Sequence, residues 1–260
     1  MHALAPTLAL MVLGHLAFFV VRSTVITGAV MRWLGTPFAM ARRVYRRAYS
    51  QGQWSSELRA ALKVVAFDAV VLSLVRHYEL LHLARPSLGN AALSFALTFV
   101  WYELWFYASH RALHTRWLAP LHAQHHTAKV MHPLTSLSFS LVERAILQVG
   151  ALGFVALASR HLPLSAPGVV GYFFLNYVLN VLGHSNVELM PAGFVATAPG
   201  RVFITTTFHA MHHARYQGHY GLFTRVLDRA FKTEFRDYPA MHGLATRGEG
   251  PERLGARVGA

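Results

Sequence analysis

The sequence predicts an all-α fold: a polytopic membrane helical bundle of about four or five transmembrane or re-entrant helices, with a histidine-rich helical cap at one end. Three observations support this prediction. Hydrophobic residues make up 54% of the 260 residues and charged residues only 13%, a composition that is typical of membrane proteins and unusual for soluble domains. The apolar residues lie in long runs. The 17 histidines are concentrated just beyond the ends of these runs.

Five apolar segments are candidates for crossing a hydrocarbon core of about 30 Å. They cover residues 4–31, 60–82, 90–109, 141–159 and 167–183. The last two are short for complete spans, so a hairpin that dips into one leaflet is an alternative for them. A signal peptide is the alternative for the first segment, but no basic region precedes it and its apolar stretch is long enough to span the membrane.

The basic residues predict how these segments are oriented. Arg85 is the one basic residue between the second and third segments, whereas seven basic residues lie between the end of the first segment and the first turn of the second: Arg32, Arg42, Arg43, Arg46, Arg47, Arg59 and Lys63. By the positive-inside rule this loop is cytoplasmic, and counting crossings puts residues 110–140 and everything after about 184 on the same side. The net charge of +13 is attributed to bilayer contact, and no nucleic-acid partner is predicted.

Two further predictions concern the domain and its location. Residues 1–243 are predicted to form a single integral-membrane domain, and the Gly- and Arg-rich segment 244–260 is predicted to be a disordered tail. The preference for arginine over lysine, together with much alanine, fits a GC-rich bacterial genome. The bacterial inner membrane is therefore favoured over the endoplasmic reticulum.

Three groups of histidines have the spacing of one face of a helix. The first is a pair four residues apart, and two later boxes repeat a spacing of three and four residues: His110 and His114, then His122, His125 and His126, then His209, His212 and His213. Residues three and four apart share a helix face, so each group can point two or three imidazoles at one spot. His184, directly after the fifth segment, is a ninth candidate ligand. The chain has no cysteine, so a metal site must use nitrogen and oxygen ligands.

Nine histidines are too many for one ion, since zinc sites use three or four protein ligands. They suffice for two ions with four or five ligands each, and imidazole suits zinc, copper, iron and nickel alike. The spacing therefore predicts a dimetal site in the cap without selecting the metal. A histidine-rich metal transporter is an alternative class, although the clusters lie beyond the ends of the apolar segments rather than along a path through them.

Residues 95–235 resemble the fatty acid hydroxylase superfamily, the membrane di-iron group that includes sterol desaturases and the sphingolipid, fatty acid and carotenoid hydroxylases. The shared pattern is HxxxH, HxxHH, a histidine after a later span, and a final HxxHH. It is present here as SHRALH, LHAQHH, GHSN and FHAMHH. Sterol desaturase-like members also carry HSN, an aromatic-Gly pair and Asp-Arg, which this chain has at 184–186, 220–221 and 228–229.

The resemblance implies that the nine histidines hold two iron ions, with O2 as co-substrate, and that zinc in a preparation would be an artefact. It also implies a lipid substrate, such as a fatty acyl chain, sterol or isoprenoid, that is hydroxylated or desaturated at an unactivated C–H bond. The chain has no flavin or haem motif, so electrons are expected from a separate ferredoxin or cytochrome b5 type protein with its reductase. A catalytically inactive lipid-binding relative is the remaining alternative.

Six further residues are candidates for supporting the ligands: Glu103, His132, Asn186, Glu188, His219 and Asp228. Glu103 lies two helical turns before His110, so it is predicted to orient that ring. The three carboxylates can compensate the positive charge of an all-imidazole metal site. His132 and His219 stand where the superfamily commonly has asparagine, and Asn186 belongs to the HSN element.

Overall fold

The computed structural model describes residues 4–258, and within them the only β-structure is two isolated bridges, Arg43 with Val187 and Phe203 with Thr224. The α-helices of the described range are α1 (Leu4–Trp33), α2 (Pro37–Ala41), α3 (Gln53–His77), α4 (Leu88–Leu113), α5 (Ala119–His122), α6 (Leu141–Gln148), α7 (Phe154–Ala158), α8 (Ala166–Gly183), α9 (Thr206–Arg215), α10 (Val226–Ala230) and α11 (Tyr238–Arg247). The all-α prediction is confirmed. Residues 1–3 of the predicted domain and 259–260 of the predicted tail lie outside the described residues.

Four helices in the described range are long and apolar enough to cross a membrane. They are Thr7–Trp33 of α1, Leu88–Leu113 (α4), Leu141–Ala158 and Ala166–Gly183 (α8). The third of these joins α6 to α7 through a π-helical turn, Val149–Gly153. These helices confirm the predicted bundle of four or five membrane helices.

The second predicted segment, 60–82, forms α3 but does not belong to these four. This helix ends at His77 and packs along α1. It buries two acidic residues, Glu57 and Asp68. Charged residues such as Lys63 and Arg76 lie along α3 as well, and the helix is not among those that qualify as spans by length and composition.

The arginine-rich loop after α1 lies at the same end of the bundle as the histidine-bearing segments. The Val44 amide donates to the Asn186 carbonyl at 2.9 Å, and the Glu188 amide donates to the Arg42 carbonyl at 2.9 Å. These bonds connect the loop to the segment that follows His184. The loop and the histidine-bearing segments therefore lie at one end of the bundle, as counting the membrane crossings predicts. That this end is cytoplasmic stays a prediction.

The helices α4 and α8 approach each other closely at Gly168. A Cβ atom added there would lie 2.2 Å from the Ala91 carbonyl oxygen, so the packing requires glycine. Nearby, the Ser165 amide donates to the Ser94 hydroxyl at 2.8 Å. This packing fixes the two helices relative to each other, and the far end of each carries a histidine.

The cap consists of α9, α10, α11 and the loops between them. Its core contains Tyr45 from the loop after α1, Phe208 and Met211 from α9, and Tyr238 and Met241 from α11. All five side chains are buried almost completely. The helix α9, which carries the last histidine box, is therefore held from both the loop after α1 and α11.

The segment predicted to be a disordered tail begins inside α11. Beyond that helix the chain returns to the cap, where the Arg46 amide donates to the Pro251 carbonyl at 3.2 Å and the Val258 amide donates to the Asp237 carboxylate at 3.2 Å. In the described range, residues 244–258 thus contact the cap, because their backbone and apolar groups find partners there.

Candidate metal centre

The first histidine box and His184 lie at the ends of two membrane helices. The helix α4 ends at Leu113, so His110 lies in its last turn and His114 caps it. His184 caps α8 in the same way. The last box lies on α9, which packs against the end of α8.

The stretch from His110 to His126 is not a single helix. Between α4 and α5 the chain makes turns, with Trp117 in the break and Pro120 in the first turn of α5. Proline is tolerated at that position, because the amide it lacks would have no partner in the helix. A separate 3-10 turn, His125–Thr127, follows. The chain thus breaks at Trp117 and Pro120, and the break lets the second box turn back toward α4.

The five-histidine group consists of buried side chains from the pair at the end of α4 and from the two HxxHH boxes: His110, His114, His122, His126 and His212. One ring nitrogen of each lies within 4.8 Å of the others. The His110 Nε2 atom is 3.1 Å from the His122 Nε2 atom and 3.3 Å from that of His114. The Nε2 atoms of His212 and His126 are 3.1 Å apart. Their Nε2 atoms thus face one another.

The four-histidine group comprises the remaining predicted ligands: His125, His184, His209 and His213. The His184 Nε2 atom lies 2.9 Å from that of His209 and 3.5 Å from that of His125. The two groups adjoin, since the ring centroids of His126 and His213 are 4.8 Å apart. All nine predicted ligands are therefore brought together, as two neighbouring groups.

Each HxxHH box contributes to both groups, which differs from the prediction that a box points at one spot. On α9, His209 and His213 belong to the four-histidine group and His212 to the other. Successive helical residues are about 100° apart, so residues four apart diverge by only about 40°, while neighbours diverge by 100°. The box at 122–126 is divided in the same way, with His125 alone in the four-histidine group.

Six of the nine rings are fixed through the nitrogen that faces away from its group. The Nδ1 atoms donate to five carbonyl oxygens and one carboxylate: His110 to Tyr220 at 3.0 Å, His122 to Glu143 at 2.6 Å, His125 to Ser138 at 3.3 Å, His184 to Asn180 at 2.7 Å, His212 to Gly218 at 2.8 Å and His213 to Ala128 at 2.9 Å. These oxygens accept only, so Nδ1 carries the proton and the Nε2 lone pair faces the group.

The donor set fits metal ions. The Nε2 atom of His213 is buried and has no hydrogen-bond partner among the described residues, and a buried acceptor without a partner is costly. Lone pairs that face one another also repel unless a cation or a proton lies between them. The two groups can therefore bind metal ions, and orientation by the far nitrogen is the usual arrangement of metal-binding histidines.

Burial keeps the imidazoles outside the spans neutral. It lowers the pKa of His184 to about 4 and that of His114 to about 2. Burial, reinforced by neighbouring imidazoles, also holds the pKa of His125, His209 and His212 well below the usual range. A neutral imidazole is the form that binds a metal ion.

We expect acid to destabilise the cap. An unfolded chain protonates these histidines below about pH 6.5, whereas the folded chain does so only near the lowered pKa values, such as about 4 for His184. Stability is therefore full above about pH 6.5 and falls by about 1.4 kcal/mol per pH unit for each such histidine as the pH drops below it. Thermal unfolding of the full chain between about pH 7.5 and 5.5 measures this. A melting temperature that is unchanged or higher in acid would contradict the expectation.

Two of the predicted supporting carboxylates accept hydrogen bonds from backbone segments next to the predicted ligands. Glu188 is fully buried and accepts hydrogen bonds from the Thr205 hydroxyl at 2.7 Å and the Thr207 amide at 3.0 Å, at the start of α9. Asp228 accepts from the Tyr220 amide at 2.8 Å. The Tyr220 carbonyl in turn accepts from His110. Both carboxylates thus act on ligands through the backbone.

Glu103 does not make the predicted contact with His110. Its carboxylate accepts hydrogen bonds from the Thr224 amide at 2.8 Å, the Thr224 hydroxyl at 2.6 Å and the Phe223 amide at 3.1 Å. These buried donors lie in a loop and need an acceptor, so the carboxylate is used there. Glu103 therefore supports the loop that contains Tyr220 and not the ring itself.

The other three supporting candidates stabilise the fold away from the ligands. Asn186 pairs with both backbone groups of Tyr45, at 3.1 and 2.9 Å. His219 donates to the Phe208 carbonyl at 2.8 Å and accepts from the Phe235 amide. His132 caps a 3-10 turn, and its Nδ1 atom accepts from the backbone amide two residues on. None of these bonds reaches a ligand histidine.

Two residues at the site were not singled out as site residues from the sequence. The Glu143 carboxylate accepts a hydrogen bond from His122, with the Nδ1 and Oε1 atoms 2.6 Å apart. Its position three residues after Ser140 signals a helix start but not the contact with His122. The Tyr216 ring lies 4.2 Å from the His114 ring, centroid to centroid, and its φ of +71° is unusual for an L-residue. No sequence signal identifies Tyr216.

Two apolar cavities adjoin the histidines. The site cavity, of about 210 Å³, is lined by His184 and His209 together with apolar side chains such as Phe203. The bundle cavity, of about 280 Å³, lies among α1, α3, α4, α6 and α8. Asn180 and Leu222 line both cavities.

The bundle cavity is separated from the histidines by aromatic rings. Phe106 and Phe139 line it. The Phe106 ring centroid is 4.9 Å from that of His110, and the Phe139 ring stacks on His125 at 4.7 Å. The wall of the cavity thus packs directly on one ligand of each group.

A helical bundle with membrane-spanning composition, whose helix ends hold two histidine groups that can bind metal ions, defines a class of integral-membrane metal proteins. The chain matches the fatty acid hydroxylase family over residues 95–233, and it belongs to that family. The resemblance inferred from the histidine boxes is confirmed. Family membership and the four apolar helices together make the chain a membrane protein.

Among curated proteins, the chain is similar to plant enzymes named as aldehyde decarbonylases. It is 34% identical to very-long-chain aldehyde decarbonylase GL1-6 of Oryza sativa subsp. indica over 140 residues, which is 50% of this chain and 21% of that protein. It is 32% identical to GL1-1 of the same subspecies over 201 residues, 72% of this chain and 31% of the relative. Protein CER1-like 1 of Arabidopsis thaliana is 33% identical over 135 residues, 50% of this chain and 21% of that protein. The chain thus spans a third or less of these relatives. No solved structure matches it.

Proposed function

We propose that this protein is an O2-dependent di-iron oxygenase that oxidises an unactivated C–H bond of a membrane lipid. The observation that carries the proposal is the convergence of nine buried histidines into two adjoining groups. In hydroxylation, one oxygen atom enters the lipid, and two electrons and two protons reduce the other to water. In desaturation, the lipid loses two hydrogen atoms, and these together with two electrons and two protons reduce both oxygen atoms to water.

The five-histidine group and the four-histidine group would each hold one ion. When bound, the two irons supply the activation of O2 that cleavage of an unactivated C–H bond requires. The protein orients the ligands through their far nitrogens. Glu143 accepts a hydrogen bond from the Nδ1 atom of His122 and so makes the Nε2 atom of that ring a stronger electron-pair donor to a metal ion.

The cavities supply an apolar route for the substrate. The site cavity touches His184 and His209, so a chain lying in it reaches the four-histidine group directly. Apolar walls also exclude water, which protects a reactive site from side reactions. A bilayer lipid is the substrate class that such a cavity next to spanning helices accommodates.

The electrons come from a separate protein, for which we propose a ferredoxin or a cytochrome b5 type protein with its reductase. We further propose that the histidine groups lie on the cytoplasmic side of a bacterial inner membrane, where such donors are found. This sidedness is supported by the seven basic residues from Arg32 in the last turn of α1 to Lys63 in the middle of α3.

The relatives favour a second candidate reaction. Since the chain is similar to proteins named as very-long-chain aldehyde decarbonylases, a decarbonylation is an alternative to hydroxylation or desaturation. In that reaction the carbonyl carbon of a long-chain aldehyde leaves as carbon monoxide, and the aldehyde hydrogen remains on a hydrocarbon one carbon shorter. A metal transporter is less well supported, because the ligands lie together at one end of α4 and α8 and not along a path across the bundle.

The test compares lipids from a bacterial host with and without the gene, by mass spectrometry, and counts metal in the purified full-length protein. We expect close to two irons per chain. We also expect a lipid that has gained one oxygen atom or lost two hydrogen atoms, or a hydrocarbon shortened by the aldehyde carbon. Unchanged lipids in a host that supplies electron donors, or normal activity with less than one metal per chain, would refute the proposal.

A further inference from the structure

The bundle cavity contains a charged cluster within the membrane-spanning part of the fold. Asp68 of α3 accepts two hydrogen bonds from Arg144 of α6, at 2.8 and 2.6 Å, and a third from Gln148 at 2.8 Å. All three residues line the cavity. Asp68 is the only acidic residue that lines it within the described part of the chain, and both of its oxygens accept hydrogen bonds.

Arg22 of α1 lines the same cavity but is not part of that ion pair. Its guanidinium carbon lies 3.9 Å from the centroid of the Tyr177 ring and 4.8 Å from that of Phe19. Its Nε atom is buried and has no hydrogen-bond partner among the described residues. Arg22 is near enough to interact electrostatically with both Asp68 and Arg144.

The cavity wall therefore carries a surplus positive charge, since two arginines face one aspartate. Arginine side chains in spanning helices usually extend to the membrane surface. Here the end of α1, Trp33, is eleven residues beyond Arg22, or about 16 Å along the helix axis. The side chain instead turns onto Tyr177 of α8. A donor held in this way, inside a mostly apolar cavity, is suited to an oxygen-bearing ligand.

We propose that the bundle cavity binds a lipid by its oxygen-bearing end, a carboxylate or an aldehyde carbonyl that accepts hydrogen bonds from Arg22. This inference rests on the proposed function, because the bound lipid is its substrate. The hydrocarbon chain lies along the apolar remainder of the cavity, which includes Phe18, Leu83 and Phe173. The volume of about 280 Å³ is near the lower end for ligand pockets, roughly 300 Å³.

The proposal also positions the lipid relative to the histidines. Arg144 in the cavity and Glu143 on His122 are consecutive residues in the first turn of α6. Arg22 lines the same cavity as Arg144. The oxygen-bearing end of the lipid is therefore held beside the first turn of α6, which supports the five-histidine group. Arg22 thus distinguishes lipids by the chemistry of that end.

The test measures binding to the full-length protein in detergent micelles, without O2 or reductant, so that no lipid is converted. Hexadecanoate, hexadecanal and hexadecane compete against radiolabelled hexadecanoate. We expect at least one of the oxygen-bearing compounds to bind about tenfold or more tightly than the alkane, and their order distinguishes a carboxylate from a carbonyl. Arg22→Gln should abolish the preference. Arg32→Gln, the same change at an exposed position of α1, should leave it intact.

Equal binding of all three compounds to the unaltered protein would overturn the proposal, and this result does not depend on the folding of any variant. A preference that persists in Arg22→Gln would overturn it as well. The proposed function is tested separately by product formation. Binding that requires Arg22 without any oxidised product would refute the oxygenase alone, whereas undiminished oxidation of the same lipids by Arg22→Gln would refute the binding site alone.

Discussion

Replacing His212 with alanine is expected to remove about one metal ion per chain and to lower lipid oxidation more than about 100-fold. His212 is fully buried and its Nε2 atom faces the five-histidine group, 3.1 Å from that of His126. Loss of a residue that merely supports a ligand commonly costs 10- to 100-fold in metal affinity or activity, roughly, so loss of a ligand should cost more. Metal analysis and product formation by the purified variant measure both effects.

The matched control is His161→Ala, which makes the same change at an exposed turn between α7 and α8. It should retain both metal ions and full activity. If His212→Ala also retained full activity and metal content, the assignment of the five-histidine group as a metal site would be wrong. A variant that keeps both ions but loses activity would instead assign His212 a role other than metal binding.

Replacing Glu188 with alanine is expected to destabilise the cap by about 3 kcal/mol, because it leaves buried donors without an acceptor. The carboxylate accepts from Thr205 and twice from Thr207 at the start of α9, and from the Met190 amide at 2.8 Å. A negative charge at a helix N-terminus is also favourable. The melting temperature of the full chain should fall by roughly 10 °C.

The control for this change is Glu249→Ala. Glu249 is exposed and its carboxylate pairs with Arg247 at 2.9 Å, and such surface pairs contribute little. The melting temperature of the Glu249→Ala variant should stay within about 2 °C of that of the unaltered protein. Similar melting temperatures for both variants would show that the contacts of Glu188 do not stabilise α9.

The sequence predicts which histidines come together better than it predicts how they divide into two groups. Local spacing on a helix identifies His110 and His114 as neighbours, and the structure places both in the five-histidine group. The division of His212 from His213 depends on what lies on each side of α9. That is set by the packing of α9 against α8 and α11, which local periodicity does not contain.

The supporting residues show the same limit. Helical spacing correctly places Glu103 and His110 on one face. The Glu103 carboxylate nevertheless accepts hydrogen bonds from the amides of Phe223 and Thr224 instead of from the His110 ring. Those amides are distant in the chain, so the competition is invisible in the sequence. The second apolar segment shows a related limit: Asp68 is tolerated in α3 because Arg144, 76 residues away, pairs with it.

The distribution of each ligand set along the chain has a consequence for biogenesis. His126 and His212 are 86 residues apart, so at about 5–20 residues per second the ribosome makes His212 roughly 4 to 17 s after His126. During that interval four ligands of the five-histidine group already exist while the last does not. The first ion to be captured is therefore expected to reflect which metal the cell supplies during translation, as well as the affinity of the finished site.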